Sequence, residues 1–162
     1  MELAHLTQKY QDMILTKYND LSIEVRNSID NISSIERSSI IGINKDIIKE
    51  CAICHLTTNP ISSYNNDYWN TIEFREFIMN ALFTANIPQH DKLILDDFHI
   101  NRIFLFLKER YGHISLDEVI LAIKYNTYGD YGVTSSHYHQ LSIQFIVECL
   151  SNYSTLLHSI MN

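Results

Sequence analysis

Glycine and proline are scarce here, four and two among 162 residues. Charged side chains are few as well, 19% of the chain against 46% apolar residues. Disorder needs low hydrophobicity together with high charge, so this composition excludes a largely unfolded chain. The length suits one domain with a core of its own. Cysteine numbers three, an odd count that supplies no disulfide framework and points to a reducing cytoplasm. No apolar run approaches the length of a membrane span. Residues 1–13 have neither the basic start nor the continuous apolar stretch of a signal peptide.

A basic surface is missing too. The net charge is −7, and residues 1–90 hold 11 acidic and 7 basic side chains against 8 and 5 in residues 91–162. The densest basic cluster, Lys108 to Arg110, encloses Glu109. Neither half offers the positive stripe that direct nucleic-acid binding demands, so no strong binding of that kind is expected. There is no glycine-rich phosphate loop and no nucleophile elbow. The carboxylate pairs Asp96/Asp97 and Asp117/Glu118 each fall at a helix start, where negative charge complements the macrodipole. The expectation is a protein without enzymatic activity and without catalytic residues.

The five residues Cys51-Ala-Ile-Cys-His55 have the spacing of a c-type haem attachment site. Covalent attachment normally follows export, for which this chain has no signal. A zinc site needs a fourth ligand, and the nearest histidines, His137 and His139, lie far along the chain. The surrounding pattern places Ile47, Ile48, Cys51 and Cys54 near one face of an amphipathic helix. Buried cysteine commonly just fills space. No haem, metal or other cofactor is expected.

No stretch alternates apolar and polar residues as a half-buried strand does, and the chain reads as all-α, five or six helices in a bundle-like domain. Apolar residues from Leu3 to Ile32 recur near every 3.6 residues, which predicts a long amphipathic N-terminal helix to about residue 30. Its heptad pattern fails at Lys17, against a strict coiled coil. A polar break precedes Asn44, the expected N-cap of a second helix ending near Leu56. The Pro/Asn stretch 57–66 reads as a loop and as the one seam in a single 1–162 domain, between an N-terminal region 1–56 and a core module 67–162.

Beyond it, helices are predicted over about 67–86 and 96–111. The second is apolar all round, which places it centrally, with Gly112 as its stop. Ser115 and Glu118 then have capping-box spacing, flanked by Ile114 and Val119 as a hydrophobic staple. That helix is expected to end between Asn126 and Tyr128, and a last one carries Ile143, Ile146, Leu150, Tyr153 and Leu157.

The segment between these two helices is unusual. Tyr125, Tyr128, Tyr131 and Tyr138 crowd a polar stretch with His137 and His139. Loop aromatics can anchor a partner or stack on bases, and they can also pack back over helix ends. The partner-binding residues selected from it are Tyr128, Tyr131, His137, Tyr138 and His139.

Residues 92–153 also resemble a helical module of replication-associated proteins from phages and mobile elements of Bacteroides-type hosts. The matching positions are Ser115, Glu118, Gly129, Tyr131, His137, Tyr138, Leu141, Ser142, Leu150 and Tyr153. The resemblance implies a replisome organiser or helicase loader that pairs a DNA-contacting part with a partner-binding part. This chain lacks the basic part, so the expectation is a cytoplasmic accessory factor that contacts a replicative helicase or another replisome component. Two other roles are carried forward: a virion component assembling through the long first helix, with homo-oligomers, and a small acidic inhibitor of a host defence system.

Overall fold

The computed structural model describes residues 12, 15–34, 45–88, 96–128 and 140–161. Every regular element among them is helical and none is a strand. Seven α-helices are present among the described residues, more than the five or six expected: α1 (described at 12 and 15–19), α2 (Ile23–Ser34), α3 (Lys45–Thr57), α4 (Ile72–Thr84), α5 (Asp97–Tyr111), α6 (Leu116–Tyr128) and α7 (Ile143–Met161). Two short 3-10 turns, η1 (Ile61–Ser63) and η2 (Asn66–Asn70), precede α4. The chain divides into two units, 1–57 with 156–162, and 58–155.

In the first unit the expected single N-terminal helix is broken. The Asp20 amide closes on Thr16 O at 3.1 Å and the Leu21 amide on Tyr18 O at 3.1 Å. The chain then restarts at Ser22, whose Oγ accepts from the Val25 amide at 3.3 Å. A serine that can cap a new helix ends the old one, and apolar periodicity does not register this. The second helix extends to Ser34, past the expected end near residue 30.

A polar arrangement ties this unit together. Tyr18 donates to Asp30 Oδ2 at 2.6 Å, and Lys49 Nζ sits 3.9 Å from the Tyr18 ring centre. The Asp30 contact is the main cause of a Tyr18 pKa raised above 10.0. α2 packs along α3, where Ile47, Cys51, Ala52 and Ile53 are buried. Asn44, the expected cap of α3, lies outside the described residues.

In the second unit the Pro/Asn stretch, expected as a loop, contains the short turn η1, and its last residue, Asn66, opens η2. Its backbone is bound to the α5–α6 turn: the Ile61 amide donates to Ile114 O at 2.8 Å and the Ser62 amide to Gly112 O at 3.0 Å. Lys108 Nζ adds bonds to Tyr64 O at 2.6 Å and Asn66 Oδ1 at 2.9 Å. Gly112 has φ −63°, an ordinary right-handed value, so it does not end α5 through the left-handed conformation that favours glycine. What it provides is room. A Cβ there would lie 2.6 Å from Lys108 O and 3.3 Å from Ser62 Cβ.

The helix expected over 67–86 is two elements. Thr71 separates them, its Oγ1 accepting from the Phe74 amide at 3.2 Å to cap α4. At the other end, Asn86 adopts φ 57°. Its amide donates to Phe83 O at 3.1 Å and that of Ile87 to Leu82 O at 2.9 Å, a Schellman termination with asparagine in the left-handed position. α4 packs on α6 and η2, and α5 packs on η1 and η2. An aromatic cluster joins three of these elements, with Phe74 5.2 Å from Phe104 and Tyr68 5.8 Å from Phe104 between ring centres.

Candidate partner-binding surfaces

The capping box forms as its spacing predicts. The Glu118 amide donates to Ser115 Oγ at 3.1 Å, and the Ser115 amide to Glu118 Oε2 at 2.7 Å. Ile114 and Val119 are both fully buried beside it. The surprise is the depth: Ser115 and Glu118 are themselves buried, and Glu118 Oε1 accepts the hydroxyl of the fully buried Tyr153 on α7. A carboxylate out of water needs such donors, so this network locks α6 to α7.

That depth sorts the residues that carry the replication-module resemblance. Ser115, Glu118, Leu141, Leu150 and Tyr153 are buried and Ser142 is half-buried, capping α7 by accepting from the Phe145 amide at 3.1 Å. These six are scaffold. Gly129, Tyr131, His137 and Tyr138 lie outside the described residues, as does His139. Of the selected partner-binding residues only Tyr128 is described. It ends α6 with 66% of its surface exposed. Tyr125, three residues earlier, is buried.

Other residues singled out in the sequence have structural duties. Asp96 caps α5, accepting from the His99 amide at 2.9 Å, and this bond holds its carboxyl below the ordinary 3.8. Asp97 pairs with Arg75 of α4 at 2.7 Å. Lys108, read as part of a basic cluster, is half-buried and clamps η1 and η2 as described. Cys51 is buried and Cys54 half-buried on α3, and among the described residues no three His, Cys, Asp or Glu side chains group as metal ligands.

The exposed surface that the sequence did not disclose lies on α4 and α5. α4 buries Phe74, Phe77, Ile78, Ala81 and Leu82, while Ile72, Met79 and Phe83 point outward, Ile72 and Phe83 being 73% and 76% exposed. α5 buries Ile100, Ile103, Phe104 and Leu107, with Phe98 and Leu105 exposed on its far side. The central helix predicted from all-round hydrophobicity is therefore buried on one side only. Large apolar side chains displayed together on a folded unit mark contact surfaces. The signal was in the sequence, as apolar residues in excess of one face, but excess alone does not tell burial from display.

Among the described residues no helix is long and apolar enough to cross a membrane. No protein-family model, curated protein or solved structure matches the chain.

Proposed function

We propose that this protein is not an enzyme and works through protein–protein contact, as a replication accessory factor of a phage or mobile element with a replicative helicase or other replisome component as partner. The observation that supports contact as its mode of action is the set of large side chains standing in solvent on the second unit: Ile72, Met79 and Phe83 on α4, Phe98 and Leu105 on α5, and Tyr128 at the end of α6. The replication role rests on the resemblance over 92–153. Tyr128 leads into the segment holding Tyr131, His137, Tyr138 and His139, which we assign as the replisome-facing surface because tyrosine anchors dominate interfaces.

The test is a pull-down of purified replicative helicase by wild type, by the Tyr131→Ala/Tyr138→Ala variant and by Arg110→Ala, with DNA binding measured in parallel at physiological salt. Lys108 is left intact because of its bonds to Tyr64 and Asn66. Capture lost with the tyrosines and retained with Arg110→Ala is the expected result. Tight DNA binding that depends on Arg110, with no helicase captured, would overturn the proposal.

A further inference from the structure

Four residues of α4 stand in solvent along one line: Ile72, Glu76, Met79 and Phe83. The second lies four positions on, the third three and the last four, which is the alternation of d and a positions in a heptad. At about 3.6 residues per turn they fall within an arc of about 60° and run for about 16 Å. Phe74, Phe77, Ile78 and Ala81, on the opposite side, are buried in the second unit. α4 therefore has two apolar sides, one packed in its own core and one uncovered.

A seam this narrow suits one helix, whose own a and d side chains enter the spaces between these four. Glu76 decides what kind of helix. An apolar one laid along the line would enclose the carboxylate without a partner, a strongly unfavourable arrangement. The flanks agree. α4 carries three charged residues, and besides Glu76 they are Glu73 and Arg75. Glu73 is exposed beside the seam, while Arg75, on the other side, is held by Asp97 at 2.7 Å. The unneutralised charge along this seam is thus acidic.

A second copy of the chain matches it poorly. Pairing α4 with itself sets Glu76 against Glu76 when parallel and against Met79 when antiparallel. The corresponding exposed line on α5 is Phe98, Arg102, Leu105 and Glu109, and bringing Arg102 to Glu76 in parallel sets Glu109 against Phe83.

We propose that the outward line of α4 docks one amphipathic helix of a partner protein, apolar along its a and d positions, with a lysine or arginine opposite Glu76 and further basic residues beside Glu73. Such a helix covers Ile72, Met79 and Phe83 and neutralises the charge among them, and basic residues at its margins set its choice of this surface. The inference rests on reading the second unit as a contact module and uses residues other than Tyr131 and Tyr138.

The probe is a labelled synthetic peptide of three heptads, with leucine at a and d except for one central a lysine, and lysine at e and g. A second peptide has glutamate in place of every lysine. Fluorescence anisotropy with the full chain is expected to show the lysine peptide bound at least about tenfold more tightly than the glutamate peptide. Met79→Ser/Phe83→Ser should lose that binding by more than about tenfold, and Glu73→Lys/Glu76→Lys should reverse the preference between peptides. Unchanged far-ultraviolet dichroism in both variants separates these losses from unfolding. Equal affinity for the two peptides, binding indifferent to the α4 substitutions, or a preference that does not reverse would each overturn the inference. A wild-type dimer in sedimentation that Phe83→Ser disperses would overturn it too, by placing a second copy on the seam. Helicase captured through the tyrosines with no peptide bound overturns this inference and leaves the functional reading standing. Peptide bound through α4 with no helicase captured does the reverse.

Discussion

Tyr153 donates its hydroxyl to Glu118, thirty-five residues away, and both side chains are shielded from water. The same carboxylate accepts the Ser115 amide, so a local helix cap and a contact between helices share one group. Tyr153→Phe removes a donor from a buried acceptor and should cost about 1–3 kcal/mol in urea unfolding. Ser115→Ala should cost about 1 kcal/mol through loss of the cap. Tyr153→Phe combined with Glu118→Gln should show a coupling energy of about 0.5–3 kcal/mol in a double-mutant cycle. Strict additivity of the two would show that the bond contributes nothing to holding α6 and α7 together.

Gly112→Ala tests the close approach of η1 to the α5–α6 turn. The added methyl would meet Lys108 O at 2.6 Å and Ser62 Cβ at 3.3 Å, forcing apart a backbone contact. A loss of about 1–3 kcal/mol is expected, as for overpacking elsewhere. Its right-handed φ would otherwise favour alanine, which reduces the entropy of the unfolded chain. A gain in stability on substitution would therefore refute the steric account.

The Asp96 cap gives stability a dependence on acidity. The carboxyl is held below 3.8 by the His99 amide, then by the His99 ring. A depressed folded value means the contribution is fully present above the ordinary carboxylate range and is lost as pH falls through the depressed value. Asp96→Asn keeps a capping oxygen without the charge, so its urea midpoint should fall less than that of wild type on acidification. Parallel midpoints for the two proteins would sink this assignment.

Cys149 is buried on α7, and burial, then Glu148, pushes its thiol up to about 12. Thiolate is the reactive form, so Cys149 should resist iodoacetamide at mildly alkaline pH until the protein unfolds. Peptide mapping after timed alkylation checks this, with half-buried Cys54 as the internal comparison. Labelling of Cys149 as fast as Cys54 would contradict its burial.

Signals confined to a few neighbouring residues were legible in the sequence. Ser115 with Glu118, and the all-helical class itself, depend on spacing along one chain segment. The α5 boundaries were legible for the same reason, since Asp96 caps where acidic residues collect at a helix start. Competition between local options was less visible: Ser22 and Thr71 each restart a helix inside a continuous apolar pattern. Properties that depend on distant partners were invisible. Nothing near Glu118 in the sequence announces Tyr153, and nothing near Phe98 or Phe83 says that these rings face solvent. Of the selected contact residues, Tyr128 is exposed at the end of α6, and Tyr131, His137, Tyr138 and His139 lie outside the described residues.

The η1 turn has a consequence for cutting the chain. As sequence, Thr57 to Asn66 invites division into fragments, being rich in polar and turn-forming residues. As structure, Ile61 and Ser62 are a clasp that occupies Ile114 O and Gly112 O. A fragment starting at or after residue 63 would free both carbonyls and uncover the α5–α6 turn. One starting at or before Pro60 would retain the clasp and the Ser63 amide bond to Pro60 O. The stretch that looks most dispensable is thus the end that the second unit has to keep.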